Sequence, residues 1–251
     1  ETLATQLPQW TLDYFDWHAN QREQLNETNW NASSFLIARC TSIDENCGGL
    51  SDRLRPVPFL LRLAYNTNRI LLIRWDRPCR LEEFLEPSVH LNWTVPEYMM
   101  SLLRRRKGKG SYQFLMKQKT TMTFAAKKKF RIVETRLQLD DGGEKYYLKL
   151  VNNTQETYAN VYHSMFRALF QPSPALAVVL QQQFDRFGLV PGEYTAAHLR
   201  AFYKVEKETV PPETQLAQGI NAVNCASHLR PGDPIYIASD SAYAMSVAVE
   251  Y

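Results

Sequence analysis

A strand, a glycine-bearing loop, a helix and a second strand follow one another between Ser33 and Trp75, and this order constrains the fold more than any other feature. The runs "SSFLIARC" and "RILLIRW" have the length and composition of buried strands. Between them, "GGLSDRL" leads into a helix with an apolar face in "PFLLRLA", which we expect to begin or kink near Pro56. The pattern predicts a βαβ unit and therefore an α/β fold.

The last third of the chain repeats this order. A strand in "YTAAHLRAF" precedes a helix in "PETQLAQGINAVNCASHL", a strand in "PIYIAS" and a helix in "DSAYAMSVAVEY". We place a domain boundary near "QPSP", which gives domains 1–171 and 172–251. Two strands are too few for a complete doubly wound sheet, so either they join the first sheet or the second domain is incomplete. Elsewhere, "EKYYLKLV" alternates like a strand and "CRLEEFLEP" is typical of a short helix.

Positive charge is concentrated in one segment. Eleven of the 29 basic residues lie between Tyr98 and Val133, where there is no acidic residue, and the rest of the chain is net negative. This balance does not indicate a nucleic-acid-binding protein. We expect a solvated loop or hairpin inserted at 104–131. The alternatives are a polyanion-binding surface, a site for an acidic acceptor glycan, or contact with an anionic membrane.

The cysteines and the glycosylation sequons give information about the cellular compartment of the protein. The four cysteines lack CxxC spacing, which fits one or two disulfides better than zinc, although buried reduced thiols remain an alternative. Four Asn-X-Ser/Thr sequons favour the secretory pathway; they begin at Asn26, Asn31, Asn92 and Asn152. No apolar run approaches the ~20 residues of a membrane-spanning helix. Because the chain starts at Glu1 instead of Met, we expect any membrane anchor in a preceding segment.

His198 and Arg200 lie two residues apart on the strand "YTAAHLRAF" and therefore point to the same side of it. Ligands of parallel sheets gather at the carboxyl ends of the strands, and a guanidinium is suited to two phosphate oxygens. The alternative is an Arg that reaches solvent or pairs with a glutamate. Gly48 and Gly49 permit a tight turn before a helix, which favours either an anion-facing loop or an ordinary turn.

The segment "HLRAFYKVEKE" resembles one in α1,6-fucosyltransferases, including the bacterial nodulation enzymes. That family carries a His-X-Arg, a lysine six residues after the His and a glutamate ten residues after it. These positions are His198, Arg200, Lys204 and Glu208 here. The blocks "GGLSDRL", "RILLIRW", "CRLEEFLEP" and "PIYIASDS" are similar to further segments of the same GDP-fucose-dependent superfamily, which includes protein O-fucosyltransferases.

The resemblance implies a GT-B-like α/β fold: two Rossmann-like halves facing a cleft, with the second half incomplete. Two positions depart from the family pattern, because Tyr203 replaces an acid and Ala201 replaces a second Arg. The family also continues past its last matching strand into a serine-rich segment, whereas this chain ends at Tyr251. These departures favour the alternative of an inactive carbohydrate-binding pseudoenzyme with the same fold.

The implied activity is inverting transfer of fucose from GDP-fucose to a glycan or glycoprotein. Arg200 and Lys204 would stabilise the leaving diphosphate, and Glu208 would act as the general base. No Asp-X-Asp triplet occurs, so we expect no metal cofactor. The expected donor-binding residues are His198, Arg200, Ser239, Asp240, Gly48 and Gly49. The possible cleft residues are Asp52 and Arg53.

The resemblance also implies partners and a compartment. We expect a nucleotide-sugar donor and a glycan or glycoprotein acceptor, with no nucleic acid. The corresponding compartment is the lumen of the Golgi or endoplasmic reticulum, with the chain as part of a type II membrane protein.

Overall fold

The computed structural model describes residues 7–44, 47–105, 112–115, 118–136, 144–151, 157–200 and 211–250. The internal contacts divide the chain into a first unit, Glu1–Leu176, and a second unit, Ala177–Tyr251. Among the described helices, none has the length and apolar character needed to cross a membrane.

The first unit is built on a parallel four-stranded sheet. Its strands are β1 (Phe35–Cys40), β2 (Ile70–Trp75), β4 (Tyr112–Leu115) and β5 (Ile132–Arg136), in the order β2-β1-β5-β4. The connection from β1 to β2 runs through α2 (Leu50–Leu54) and α3 (Val57–Thr67), and Pro56 is the amino-terminal cap of α3. The predicted βαβ unit and the helix start near Pro56 are confirmed.

The basic segment contributes to this sheet. Strand β4, helix α5 (Gln118–Ala125) and strand β5 form a second parallel βαβ unit, with Tyr112 opposite Ile132 in the register. The prediction of a solvated loop or hairpin is therefore wrong for β4 and α5, residues 112–115 and 118–125, whereas Lys127, Lys128 and Lys129 lie in an exposed turn. Tyr112, Leu115 and Phe130 are buried, so apolar side chains between the lysines direct this segment into the core.

The other elements of the first unit are α1 (Gln9–Gln24), β3 (Leu85–Pro87), α4 (Glu97–Arg105), α6 (Glu144–Leu150), α7 (Tyr158–Leu169) and β6 (Phe170–Pro172). The prediction of a strand in "EKYYLKLV" is wrong, because it forms α6, whose Tyr147 is fully buried against the ring of Tyr158. In "CRLEEFLEP" a single 3-10 turn, Leu81–Glu83, leads into β3, which pairs antiparallel with β6.

Both faces of the first sheet are covered. Phe35 and Ile37 of β1 pack in one cluster with Met99 and Leu103 of α4, whereas Leu36 and Ala38 face the cluster that contains α3. Every residue of β1 and β2 is buried. This explains why the sequences of both strands are largely apolar instead of alternating between apolar and polar residues.

The second unit contains a parallel pair of strands, β7 (Thr195–Leu199) and β8 (Ile235–Ser239). Its helices are α8 (Pro174–Phe187), which begins in the first unit, α9 (Pro212–Leu229) and α10 (Ala242–Glu250). The predicted strand-helix-strand-helix order is confirmed. Helices α9 and α10 pack closely at Gly219, where an added Cβ would lie 2.8 Å from the carbonyl oxygen of Ala244.

Candidate functional site

The parallel register of the second unit brings four predicted donor-binding residues to one edge. His198 lies opposite Ala238 and Leu199 opposite Ser239, so the carboxyl ends of β7 and β8 meet there. Arg200 follows β7 directly and Asp240 follows β8 directly. His198, Arg200 and Asp240 are exposed to solvent, and Ser239 is half-buried. This edge therefore offers an imidazole, a guanidinium, a hydroxyl and a carboxylate to a ligand.

Two further residues fix the turn between β8 and α10. The backbone N–H of Ser241 donates to Oγ of Ser239 at 3.1 Å, and Oγ of Ser241 accepts from the backbone N–H of Ala244 at 3.1 Å. The Ser241 hydroxyl donates to Oε1 of the buried Gln215 on α9 at 2.6 Å. Ser241 is thus an amino-terminal cap of α10 that is itself anchored, and Asp240 lies between two positioned serines. The sequence analysis missed Ser241 and Gln215, although a serine just before an apolar helix is a capping signal.

Two of the predicted catalytic residues, Lys204 and Glu208, lie in 201–210, outside the described residues. Their roles stay predictions, together with the effect of Tyr203.

The glycine loop after β1 is shaped by Asp52. Gly48 has φ of +69°, and a Cβ there would lie 2.9 Å from Cβ and Oδ2 of Asp52. Oδ2 of Asp52 accepts from the backbone N–H of Gly49 at 2.9 Å, which caps the short helix α2. A disulfide joins Cys40 to Cys47 and closes the same loop. Gly48 is therefore required by the turn itself, whether or not a ligand approaches.

The Arg53 guanidinium is already engaged within the loop. It donates to the carbonyl oxygen of Gly48 from Nε at 3.1 Å and from Nη2 at 2.9 Å, and Nη1 donates to the carbonyl of Arg77. It also lies over the ring of Trp75, 4.6 Å from its centroid. Burial, followed by the nearby charge of Arg77, lowers the pKa of Arg53. In this arrangement Arg53 connects the glycine loop to the segment after β2.

A buried charge cluster, which we call the Glu134 cluster, occupies the first sheet near its carboxyl edge. Arg39 donates to Asp44 from Nη2 at 2.7 Å and from Nε at 3.1 Å, and from Nη1 to Oε2 of Glu134 at 3.0 Å. Nη1 of Arg74 donates to Oε1 of Glu134 at 3.3 Å, and the Tyr112 hydroxyl donates to Oε2. Two guanidinium groups thus balance two carboxylates within the interior.

The pKa shifts in the Glu134 cluster follow from burial and pairing. Burial alone would raise the pKa of Asp44, but hydrogen bonds from Arg39 and Thr41 and the charge of Arg39 outweigh it and lower the pKa. Burial, followed by the Glu134 charge, raises the pKa of Tyr112. Asp44 therefore stays ionised and Tyr112 stays protonated near neutral pH.

Two cavities lie beside this cluster and share Arg74 and Asp76. The larger, about 330 Å³, is also lined by Arg39, Thr41, Ser42 and Tyr112. The smaller, about 200 Å³, is also lined by Arg80, Glu82, Glu97 and Met100. Oδ1 of Asp76 accepts from the backbone N–H of Ser42 at 2.8 Å, which positions this carboxylate between the loops after β1 and β2.

Within the part of the chain that the structure describes, no three His, Cys, Asp or Glu side chains form a group that could bind a metal ion. Metal-independent chemistry stays a prediction.

The comparisons with known proteins bear on the fold. No protein-family model matches the chain, and no curated protein matches it. The structure is similar to that of a mutant of Arabidopsis thaliana FUT1 in complex with GDP, with a TM-score of 0.53 and 13% sequence identity. The similarity covers 96% of this chain and 70% of that chain. The fold is α/β and GT-B-like.

The sequence analysis did not single out Arg39, Arg74, Asp76 or Glu134. The signal that points to Arg39, Arg74 and Glu134 is a charged residue at a buried position of a strand, as in "FLIARC", "ILLIRW" and "IVETR", whereas Asp76 follows β2 and carries no such signal. Because a charge on a buried strand must be paired, each such residue predicts a partner on a neighbouring strand.

Proposed function

We propose that this chain carries out inverting, metal-independent transfer of fucose from GDP-fucose to a glycan or glycoprotein acceptor. The observation that carries the proposal is the structural similarity, over 96% of the chain, to FUT1 in complex with GDP. The placement of His198, Arg200, Ser239 and Asp240 at one sheet edge supports it, because nucleotide ligands of α/β folds bind at that edge.

In the proposed reaction the acceptor hydroxyl oxygen attacks the anomeric carbon of fucose while the bond from that carbon to the GDP oxygen breaks. Arg200 and Lys204 stabilise the negative charge that develops on the departing diphosphate. Glu208 accepts the proton of the acceptor hydroxyl. His198 contacts the donor phosphate or sugar, and Ser239 and Asp240 contact the nucleoside side.

For the glycine loop we assign a division of roles. Gly48 and Gly49 present a backbone without side chains to the donor. Asp52 and Arg53 fix the loop, because they form hydrogen bonds with the backbone of Cys47, Gly48, Gly49 and Arg77.

The test is a titration of the protein with GDP, measured by calorimetry, for the unaltered chain and for Arg200→Ala. We expect the variant to bind GDP about 100-fold more weakly, since hydrogen bonds to charged groups contribute up to about 3 kcal/mol. Arg230→Ala is the matched control: Arg230 is half-exposed, pairs with Asp233 at 2.7 Å and precedes β8, away from the carboxyl edge. The GDP affinity of this control should stay within about threefold of that of the unaltered chain, which is a difference in binding free energy of under 1 kcal/mol.

The results of this titration distinguish an active fucosyltransferase from a pseudoenzyme and from a protein without a GDP site. Equal GDP binding by both variants, or no GDP binding at all, would overturn the proposal. GDP binding without fucose transfer or GDP-fucose hydrolysis would identify the chain as a pseudoenzyme.

A polyanion-binding surface is the second candidate, favoured by one feature. Lys127, Lys128 and Lys129 are exposed in the turn after α5. The buried Arg69 fixes this turn by donating from Nη2 to the carbonyl oxygens of Phe130 at 2.7 Å and Lys127 at 3.3 Å. Burial lowers the pKa of Arg69 to about 10, so it stays charged near neutral pH.

A heparin column tests this second candidate. We expect elution near ~0.5 M salt, and much earlier elution once all three lysines are changed to glutamine, because each lost phosphate- or sulfate-type contact reduces the salt dependence. Early elution of the unaltered protein would exclude the candidate.

For the compartment, we propose the lumen of the Golgi or endoplasmic reticulum, as part of a type II membrane protein. The Cys40–Cys47 disulfide supports this, because disulfides persist in oxidising compartments. The side chains of Asn26, Asn31 and Asn92 are exposed, as glycosylation requires; Asn152 lies outside the described residues. Mass spectrometry of the protein from secretory cells would detect the glycans, and unmodified asparagines with reduced cysteines would contradict the proposal.

A further inference from the structure

An apolar cavity of about 540 Å³ lies within the first unit, between α2, β3, α7 and the segment after β2. It is larger than the two polar cavities beside the Glu134 cluster, and its volume is within the usual range of sites for small molecules. Nine of its eleven lining residues are apolar, among them Leu50, Trp75 and Phe84. The size and lining of this cavity therefore fit an apolar ligand body.

Two of the apolar lining residues are exposed. Leu50, at the start of α2, is 61% exposed, and Phe84, just before β3, is 49% exposed, so the cavity opens to solvent beside them. A ligand that covers these side chains removes apolar surface from water, which is favourable. Entry therefore needs no opening of the buried core.

Arg53 supplies a cation to this apolar cavity. Among the described residues that line the cavity, no other side chain is charged. The hydrogen bonds of Arg53 to the carbonyl oxygens of Cys47, Gly48 and Arg77 use one N–H of each guanidinium nitrogen. One N–H on Nη1 and one on Nη2 remain for a ligand. Because Arg53 is only partly buried, a ligand can reach its guanidinium group.

The surroundings of Arg53 favour an anion over a cation or a neutral group. Burial, followed by the charge of Arg77, lowers the pKa of Arg53, and the nearby Cys79 and Asp52 only partly oppose this shift. An anion in contact with Arg53 would offset the repulsion between the two guanidinium groups. A carboxylate has two oxygens that can accept from the remaining N–H groups.

We propose that this cavity binds an aliphatic carboxylate, with the hydrocarbon chain against the apolar lining and the carboxylate on Arg53. The binding does not rest on the proposed function, because neither a sugar donor nor a sugar acceptor takes part in it.

Two free cysteines make this binding observable in the whole chain. Cys79 lines the cavity, Cys225 is exposed on α9, and a disulfide removes Cys40 and Cys47 from reaction. Mass spectrometry measures the rate at which N-ethylmaleimide modifies each thiol in the presence of decanoate. At about ten times the Kd of decanoate, we expect Cys79 to react about tenfold more slowly and Cys225 to react at its original rate. Unchanged reaction of Cys79, or equal slowing of both thiols, would overturn the proposal.

Two comparison probes test the two parts of the ligand. Decylammonium has as many carbons as decanoate and the opposite charge, and it should bind about tenfold more weakly, because it forms no hydrogen bond with a guanidinium. Hexanoate keeps the carboxylate and shortens the chain, and it should bind about 100-fold more weakly, because each methylene that enters the cavity contributes to binding. If either probe protected Cys79 as well as decanoate does, the proposal would be wrong.

Variants locate the site. Leu50→Glu places a carboxylate beside the opening, at the start of α2 where an acidic residue is compatible with the helix, and should weaken decanoate binding about tenfold. The matched control Val89→Glu adds the same charge to the same unit at a residue that is 91% exposed and outside the lining, and should leave the affinity unchanged. Because Arg53 also fixes the glycine loop, Arg53→Gln is judged by the ratio of the two affinities: the preference for decanoate over decylammonium should disappear. An unchanged preference, or equal affinities of the two glutamate variants, would contradict the proposal.

GDP separates this inference from the proposed function. GDP alone should leave the reaction rate of Cys79 unchanged, because the apolar lining does not match a nucleotide. Protection of Cys79 by GDP would assign the cavity to the donor site and overturn the inference. Protection by decanoate in a protein that does not bind GDP would leave this inference standing and overturn the proposed function.

Discussion

The carboxyl edges of the two parallel sheets carry similar residue types in opposite environments. In the first unit Arg39 and Glu134 are 4% and 0% exposed, and they bond to each other and to their neighbours. In the second unit His198, Arg200 and Asp240 face solvent. The same topological position thus holds buried, paired charges in one unit and solvent-accessible charges in the other. Pairing within the core stabilises a fold, whereas accessible groups can be reached by a ligand.

The buried guanidinium groups of the first unit differ in how fully they are hydrogen-bonded. Arg39 has acceptors in Asp44 and Glu134, whereas the adjacent Arg74 shares Glu134 and keeps a buried Nε without a described partner. Two neighbouring guanidinium groups of one buried cluster thus differ in hydrogen-bond satisfaction although both are buried.

The largest expected effect comes from breaking the Glu134 cluster. Glu134→Ala should lower the free energy of unfolding of the first unit by about 3–5 kcal/mol, because it leaves Arg74 buried without its carboxylate. His198→Ala, at the exposed edge, should change stability by less than about 0.5 kcal/mol. Urea titration followed by far-ultraviolet circular dichroism measures both, because all five tryptophans lie in the first unit and their fluorescence would not report on His198. Similar losses in the two variants would mean that the two edges do not differ as described.

The next largest effect is a pH dependence of the first unit. His18 is fully buried, with Nε2 at 3.1 Å from the carbonyl oxygen of Leu71. Burial lowers its pKa to about 4; the Leu71 carbonyl opposes this shift, and the charge of Arg22 adds to it. The unfolded chain binds a proton near pH 6.5 and the folded chain only near pH 4. Stability is therefore complete above pH 6.5 and falls as the pH drops towards 4, by about 3 kcal/mol.

Urea titrations between pH 7 and 4 test this dependence. His18→Gln should have a flatter profile than the unaltered chain over that range, whatever its stability at pH 7. Parallel profiles would show that His18 is not the group responsible.

A smaller effect is expected in the second unit. Gly219→Ala should destabilise this unit by about 1–3 kcal/mol, because the new Cβ would lie 2.8 Å from the backbone oxygen of Ala244 and would separate α9 from α10. A glycine-to-alanine change in an unobstructed helix would instead stabilise by up to about 1 kcal/mol. Asn221→Ala, at an exposed position of α9, is the control, and it should not destabilise the unit. Increased stability of Gly219→Ala would contradict the described packing.

Parts of the fold were predictable because local sequence and tertiary structure agree. The six-residue apolar runs of β1 and β2, and the proline at the start of α3, predicted the first βαβ unit. The β4-α5-β5 unit was missed because its lysines obscure a few buried apolar positions, such as Tyr112 and Leu115. In α6, "EKYYLKL" satisfies both an alternating and a helical pattern, and the burial of Tyr147 decides between them.

The residues of the candidate sites were likewise predictable from the sequence only in part. The sequence order placed His198 and Arg200 at the carboxyl end of one strand, and the structure has His198 within β7 and Arg200 directly after it. The contact between Arg39 and Glu134 joins residues 95 positions apart. No local pattern predicts such a contact; only the pairing of β1 with β5 creates it.

The smallest expected effect tests the glycine loop. Gly48→Ala should cost about 1–2 kcal/mol of stability, because φ of +69° is unfavourable for a residue with a Cβ and that Cβ would meet Asp52. Gly49 has φ of −73°, and a Cβ there would meet only Oδ2 of Asp52 at 3.4 Å, so Gly49→Ala should cost less than about 0.5 kcal/mol. Urea titration compares the two variants. Equal losses would mean that backbone conformation does not set this turn. If Gly49→Ala keeps its stability and loses GDP affinity, the second glycine is required for ligand approach, as the proposed donor role demands.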